Sequence, residues 1–141
     1  MDADRHKINI MEINLITEKT IGCAYQVSNT LGSGFLEKVY ENALAHEIRK
    51  AGLSVVQQCP IQVKYDDVVV GDFTVDLLVE DCVLIELKTV KQIDDSHMAQ
   101  CMNYLKATGL NVCLLLNFYK PRLEVKRIVH HLIEPKIQAE K

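Results

Sequence analysis

The stretch VVVGDFTVDLLVEDCVLIELK, residues 68–88, reads as two strands joined by a turn. Its β-branched residues and its period of two belong to pleated strand and not to helix. Over 68–80 the odd positions Val69, Phe73, Val75, Leu77 and Val79 make an apolar face expected toward the core, with Val70, Asp72, Thr74, Asp76 and Leu78 on the other side. Over 83–90 the apolar set is Val83, Ile85 and Leu87, opposed by Leu84, Glu86 and Lys88. A slip of one residue would carry every side chain to the wrong face, so the two apolar sets must share one side. A loop over Glu80, Asp81 and Cys82 achieves this. It sets Asp76 across from Glu86 and Thr74 across from Lys88, with opposed Cβ atoms about 5 Å apart.

Two carboxylates in that relation repel unless a cation or a shared proton lies between them. Hard oxygen ligands of this charge suit Mg²⁺ or Mn²⁺, which one or two carboxylates commonly hold while water and substrate phosphate complete the shell. Lys88, two residues along the same face, is placed to orient or deprotonate a water, or to offset charge in a phosphoryl transition state. That chemistry is phosphodiester hydrolysis. The plainer alternative is a solvated sheet face on which Lys88 neutralises Glu86.

Upstream of this hairpin, Ile16, Thr20, Ala24, Val27 and Leu31 recur at helical spacing and stop at Gly32, which predicts a helix over 12–31. Leu36, Tyr40, Ala43, Leu44, Ile48 and Ala51 predict a second over 36–51, ended by Gly52. In it Glu41 reads as a solvated residue. Glu37 sits in the first turn, where helix-dipole electrostatics explain an acid as readily as metal or water binding does. The segment from Ser54 carries a strand at 61–65, turned into the next by Asp66-Asp67, with an edge or bend at Pro60. Downstream, Asp94, Asp95 or Ser96 can cap a helix over about 95–108 whose core stripe is Met98, Cys101, Met102 and Leu105. On a second face stand His97, Gln100, Tyr104 and Ala107, of which Gln100 and Tyr104 can offer neutral hydrogen bonds to a phosphate. His97 by itself reads as part of a capped helix. An apolar run at 112–118 is a strand covered on both faces, and 123–130 adds an outer strand before a short charged tail. Strand, helix and strand make a crossover unit, and the class is α/β.

The chain's 141 residues, 48% hydrophobic and 25% charged, suit one domain over 1–141 able to bury roughly two thirds of its unfolded surface. No long apolar run exists, and Asp2, Asp4, Arg5, Lys7 and Glu12 break up the amino terminus, so a membrane span and export are disfavoured and a cytoplasmic setting is expected. Cys23, Cys59, Cys82, Cys101 and Cys113 are odd in number and lack metal-ligand spacing, so small buried thiols are expected. A formal charge of −3 excludes a broad basic surface. Phosphate contacts must then come from local cations such as Lys91, Lys106, Lys120, Arg122, Lys126, Arg127 and Lys136.

The ordered set Gly34-Phe35-Leu36-Glu37-Lys38-Val39-Tyr40, Asp76, Glu86-Leu87-Lys88, Gln100-x-x-x-Tyr104 and Asn117-Phe118 resembles the GxxExxY protein family, which is placed in the PD-(D/E)XK nuclease superfamily. The resemblance runs from about residue 13 to about residue 130. It implies a restriction-endonuclease-like mixed central sheet flanked by helices. It also implies that Asp76, Glu86 and the Leu87 carbonyl bind Mg²⁺ and that Lys88 is the catalytic lysine. By the same resemblance Glu37 is a catalytic acid touching the metal or its water shell, and Gln100 and Tyr104 contact substrate. Val75 stands where the superfamily's name has proline, a position at which many members differ.

The expected activity is therefore a Mg²⁺- or Mn²⁺-dependent nuclease acting on DNA, with RNA second. The competing readings are a catalytically silent nucleic-acid or protein-binding module of the same fold in a repair or defence assembly, and a homodimer in which the acids and lysine form a salt-bridged face.

Overall fold

The structure is a computed structural model and describes residues 9–132; Asp2, Asp4, Arg5, Lys7, Lys136 and the charged tail lie outside the described residues. Its elements are α1 (Ile10–Leu31), α2 (Glu37–Lys50), β1 (Val55–Tyr65), β2 (Val68–Val79), β3 (Val83–Lys88), α3 (Asp95–Thr108), β4 (Val112–Asn117) and β5 (Glu124–Val129). The sheet has five strands in the order β1-β2-β3-β4-β5. β3 and β4 are parallel, joined through α3, and the other neighbours are antiparallel.

Local chemistry accounts for the ends of these elements. Asn9 caps α1, its Oδ1 accepting from the Glu12 amide at 2.9 Å, and Gly32 ends the helix at φ 72°. Asp94 caps α3 by accepting from the Ser96 and His97 amides, while His97 Nδ1 accepts from the Asp94 amide at 3.0 Å. His97 is thus a capping-box residue, as its plainer reading held. The hairpin tips bend at Asp66-Asp67 and Glu80-Asp81, all four at positive φ between 51° and 62°. Glu80 is anchored there by the Ser54 amide, which donates to its carboxylate at 2.6 Å.

The sheet is sandwiched. On one face α1 and α2 pack Ala24, Val27, Tyr40, Leu44 and Ile48 against Leu77, Val79, Val83, Ile85, Leu114 and Leu116. On the other, α3 packs Cys101, Tyr104 and Leu105 against Val75, Leu84, Cys113 and Leu115. β3 and β4 are buried on both sides, as expected for the unbroken apolar run of β4 but not for β3, whose alternating pattern carries the buried Glu86. Among the described residues no helix is long and apolar enough to cross a membrane.

Several expectations change. β1 begins six residues before the predicted 61–65 and is an edge strand, consistent with Pro60. Leu36 is 81% exposed, and Ala51 is exposed as well, so neither belongs to the α2 stripe. Met98 is exposed and Tyr104 takes its place in the buried stripe of α3. Cys82, Cys101 and Cys113 are buried thiols, but Cys23 and Cys59 are only half-buried. Along β2 the odd-numbered face does not continue as core: Val69 and Phe73 are exposed, Phe73 at a cleft beside α3. Val75 joins the α3 core whereas Leu77 joins the α1–α2 core, so the alternation breaks at Asp76.

Candidate active site

The β2–β3 ladder runs through Val79 with Val83, Leu78 with Leu84 and Leu77 with Ile85, the predicted register, and stops there. Asp76 and Glu86 come next, but the strands part instead of pairing. Each carboxylate takes an amide of the opposite strand. The Leu87 N–H donates to Asp76 Oδ2 at 2.8 Å, and the Asp76 N–H donates to Glu86 Oε1 at 3.4 Å. Repulsion between two carboxylates set face to face explains the parting, and the exchanged amides offset part of it. Thr74 consequently does not oppose Lys88. It pairs with Pro60 of β1, and Lys88 pairs with Asn117 of β4.

Glu86 is 6% exposed. Burial pushes its carboxyl up to about 7, the Asp76 carboxylate and, more weakly, Glu37 add to the rise, and the Lys88 ammonium and the Asp76 amide oppose it. Asp76 is also raised, first by burial and then by Glu41, against the Leu87 amide, the Gln58 amide and Lys88. Lys88 Nζ lies 3.7 Å from Glu86 Oε2, an ion pair without a short hydrogen bond. Glu37, although in the first turn of α2, turns its carboxylate to the end of β3, where the Thr89 N–H donates to its Oε2 at 3.3 Å. Gln100 Nε2 donates to Tyr104 Oη at 2.9 Å. The Tyr104 hydroxyl is pushed up to about 12 by burial and by the nearby Glu86 and Asp76 carboxylates. The structure therefore gathers Asp76, Glu86 and Lys88 at one end of the sheet, brings Glu37 to its rim from α2, and sets Tyr104 facing the acids from α3.

A profile of the PD-(D/E)XK nuclease superfamily matches residues 14–128. The chain belongs to that superfamily. No curated protein matches it by sequence. The crystal structure of an alkaline exonuclease, LHK-Exo, from Laribacter hongkongensis is similar, with a TM-score of 0.51 and 18% identity over 91% of this chain and 74% of that one. Its likeness is one of fold: the mixed five-stranded sheet with flanking helices is the restriction-endonuclease-like arrangement.

Nucleases of the superfamily typically use divalent metal ions, and the residues present fit such an ion. Among the described residues Asp76 Oδ1 receives a 3.4 Å contact from Gln58 and Glu86 Oε2 faces the Lys88 ammonium at 3.7 Å, so each acid keeps an oxygen with coordination capacity. Burial first, and neighbouring negative charge after it, raise both groups, and a cation would relieve the charge. Among the described residues no three His, Cys, Asp or Glu side chains gather into a self-sufficient metal cluster. Carboxylate oxygens of this kind are hard ligands of the type divalent cations take.

Glu41 is misread by the sequence, and the structural roles of Asn117 and Tyr40, although both residues belong to the quoted motifs, are not given by it. Glu41 is not solvated but 3% exposed. Its carboxylate accepts from Gln57 and Gln58, each at 2.8 Å, and from Lys38 at 3.2 Å. Leu44, Ala45 and Ile48 stand three, four and seven residues on, which places Glu41 on the buried stripe and was a usable signal. Asn117, fully buried, holds the chain leaving β3: its Nδ2 donates to the Val90 carbonyl at 2.8 Å and its Oδ1 accepts from the Val90 amide at 3.1 Å. Tyr40 donates to the Gly32 carbonyl at 2.7 Å and accepts from the Phe35 amide, and its ring stacks on Phe118 at 4.7 Å. It thereby pins the turn through Gly34 (φ 109°) that delivers Glu37.

Two clefts flank the site. One of about 280 Å³ lies between α3 and the β1–β2 hairpin, lined among others by Val63, Phe73, Gln100 and Tyr104. The other, of about 420 Å³, is lined by Phe35, Thr89, Phe118 and Tyr119 beside Glu37.

Proposed function

We propose that this chain, read as one nuclease domain of the GxxExxY family, hydrolyses phosphodiester bonds of DNA, with RNA the second candidate, using Mg²⁺ or Mn²⁺. The observation that carries the reading is the parted strand end, where two desolvated carboxylates and a lysine meet on adjacent strands. Asp76, Glu86 and the Leu87 carbonyl are assigned to hold the ion. When bound, it supplies Lewis-acid polarisation of a phosphoryl oxygen. Lys88 orients the attacking water or offsets the charge that develops on phosphorus. Glu37 contributes an acid from α2 to the ion's water shell. Gln100 and Tyr104, lining the α3 cleft, contact the substrate near the scissile phosphate.

The exposed aromatics of the two clefts support a substrate with unpaired nucleotides. Phe73 is 48% exposed and stands 6.2 Å from Tyr104, and Phe35 and Tyr119 are exposed on the other side. Aromatic faces of this kind stack bases without reading sequence. The neighbouring cleft brings Lys64 and Lys106 beside Phe73, a local cationic track within an acidic chain. With few cations, binding should be strongly weakened by salt. A homodimer would allow two such sites to address both strands. The odd number of cysteines, without metal-ligand spacing, supports the cytoplasmic setting.

The test is to incubate purified protein with labelled single- and double-stranded DNA and RNA in Mg²⁺, Mn²⁺ or EDTA. Cleavage that needs the ion and disappears in both Asp76→Ala and Lys88→Ala is the expected result. Binding without cleavage would move the chain to the silent-module reading. Cleavage that survives both substitutions would be a contaminant's.

A further inference from the structure

Near the middle of β1, Gln58 lies at φ 54°, in the left-handed region that strands avoid. Its neighbours are regular, Gln57 pairing with Leu77 and Cys59 with Val75, so the departure is confined to the residue that should face Asp76. Such backbone persists only where its surroundings over-determine it, and it concentrates at functional sites. The partners of its side chain show what determines it. Gln58 Nε2 donates to Glu41 Oε1 at 2.8 Å and to Asp76 Oδ1 at 3.4 Å. One amide thus stands between two carboxylates on different elements. The Asp76 carboxylate is held on two sides, Oδ2 by the Leu87 amide and Oδ1 by Gln58. Glu41 is itself held by Gln57 and Lys38, so the support is anchored in α2.

We propose that Gln58 and Glu41 are positioning residues for a divalent ion: Glu41 aims the Gln58 amide, and the amide sets the orientation of Asp76. This rests on the reading of Asp76 and Glu86 as the ion's ligands. Groups that hydrogen-bond metal-ligating carboxylates commonly change metal affinity 10- to 100-fold when removed. A regular strand would spend the backbone of Gln58 on its ladder partner. The left-handed turn instead delivers the side chain to a carboxylate whose partner strand has parted from it. Glu41 adds a second effect of the same sign, since its carboxylate, joined to Asp76 through the Gln58 amide, brings further negative charge toward a cation there.

The test uses the full chain stripped of metal, with Mn²⁺ binding followed by titration calorimetry and melting followed in EDTA. Gln58→Gly is the informative variant, because glycine takes a positive φ freely while the side chain and its amide are removed. Its melting temperature in EDTA should match or exceed that of the unsubstituted protein, while Mn²⁺ affinity falls about 10-fold or more. Gln58→Asn also tolerates the backbone but carries its amide one methylene short, and should lose affinity in the same way. Glu41→Gln should weaken Mn²⁺ binding several-fold. In cleavage assays Gln58→Gly should lower kcat with little change in KM for DNA. Mn²⁺ binding by Gln58→Gly equal to that of the unsubstituted protein overturns the role of Gln58, and equal binding by Glu41→Gln overturns that of Glu41. An unsubstituted protein that takes up no Mn²⁺ sinks the ligand assignment itself, a result distinct from either.

Discussion

The β2–β3 hairpin has two halves built on opposite principles. Residues 77–79 and 83–85 are laddered and nearly all buried apolar, and they lie between the α1–α2 core and the α3 core. One step further the ladder ends, and Asp76, Glu86 and Lys88 occupy the same two strands, with the Asp76 carboxylate on the Leu87 amide and the Glu86 carboxylate on the Asp76 amide. The apolar half stabilises the fold. The polar half stores repulsion that the fold tolerates because the other half, and Asn117 with Tyr40 beyond it, hold the strands in place. The difference teaches that the packed core and the candidate site are separated by a single residue step along the strand, so mutation should affect one without the other.

The largest effect should come from the polar half. Lys88→Ala is expected to lower cleavage on the order of 10²–10³-fold, the range seen when a transition-state electrostatic contact is lost. Its melting temperature should stay near that of the unsubstituted protein, and a fall in both together would erase the contrast between the halves.

In the apolar half, Ile85→Ala should do the converse. Removing a fully buried isoleucine side chain costs about 2–5 kcal/mol, read as a lowered midpoint in urea. Residual folded protein should still cleave.

The pH dependence of the metal-free protein sharpens the comparison further. The unfolded chain releases the Glu86 proton near 4.5, and the folded chain holds it until about 7. Between those values the folded state carries more protons, so stability falls as pH rises and levels off above 7. Asp76, raised as well, adds to the same slope. Melting in EDTA from pH 4.5 to 8 should show this fall, and Glu86→Gln should flatten it and melt higher than the unsubstituted protein at pH 8. Millimolar Mg²⁺ or Mn²⁺ should recover stability at neutral pH in the unsubstituted chain but not in Glu86→Gln. An unchanged slope in Glu86→Gln would show that the stored repulsion lies elsewhere.

The smallest effect belongs to the support of Glu37. Tyr40→Phe removes the hydroxyl that joins Gly32 to Phe35 and should cost about 1 kcal/mol. Cleavage should drop by less than in Lys88→Ala, because the turn loosens without losing the acid.

Legibility in the sequence followed the range of the forces involved. The helices at Ile10–Leu31 and Asp95–Thr108, the turns at Asp66-Asp67 and Glu80-Asp81, and the hairpin register through Leu77 with Ile85 rest on neighbours a few residues apart, and all could be read from spacing. The parting at Asp76 could not be, because period-two alternation assumes a ladder that continues. Glu41 passed for a surface acid because its partners Gln57 and Gln58 come from a different element. The left-handed Gln58 carries no residue-type signature, since glutamine is no more at home there than most side chains.

By itself the sequence determined that the chain is α/β, the hairpin register through Leu77 with Ile85, and that Asp76, Glu86 and Lys88 lie close along one hairpin. Those properties follow from periodicity and turn chemistry, which act locally. Tertiary structure alone decided how the two carboxylates relate, that Glu37 turns from its own helix to Thr89, and that Glu41 and Gln58 stand behind Asp76. Those outcomes depend on repulsion, desolvation and hydrogen bonds between elements far apart in the chain, and such terms have magnitude only once packing has set the distances.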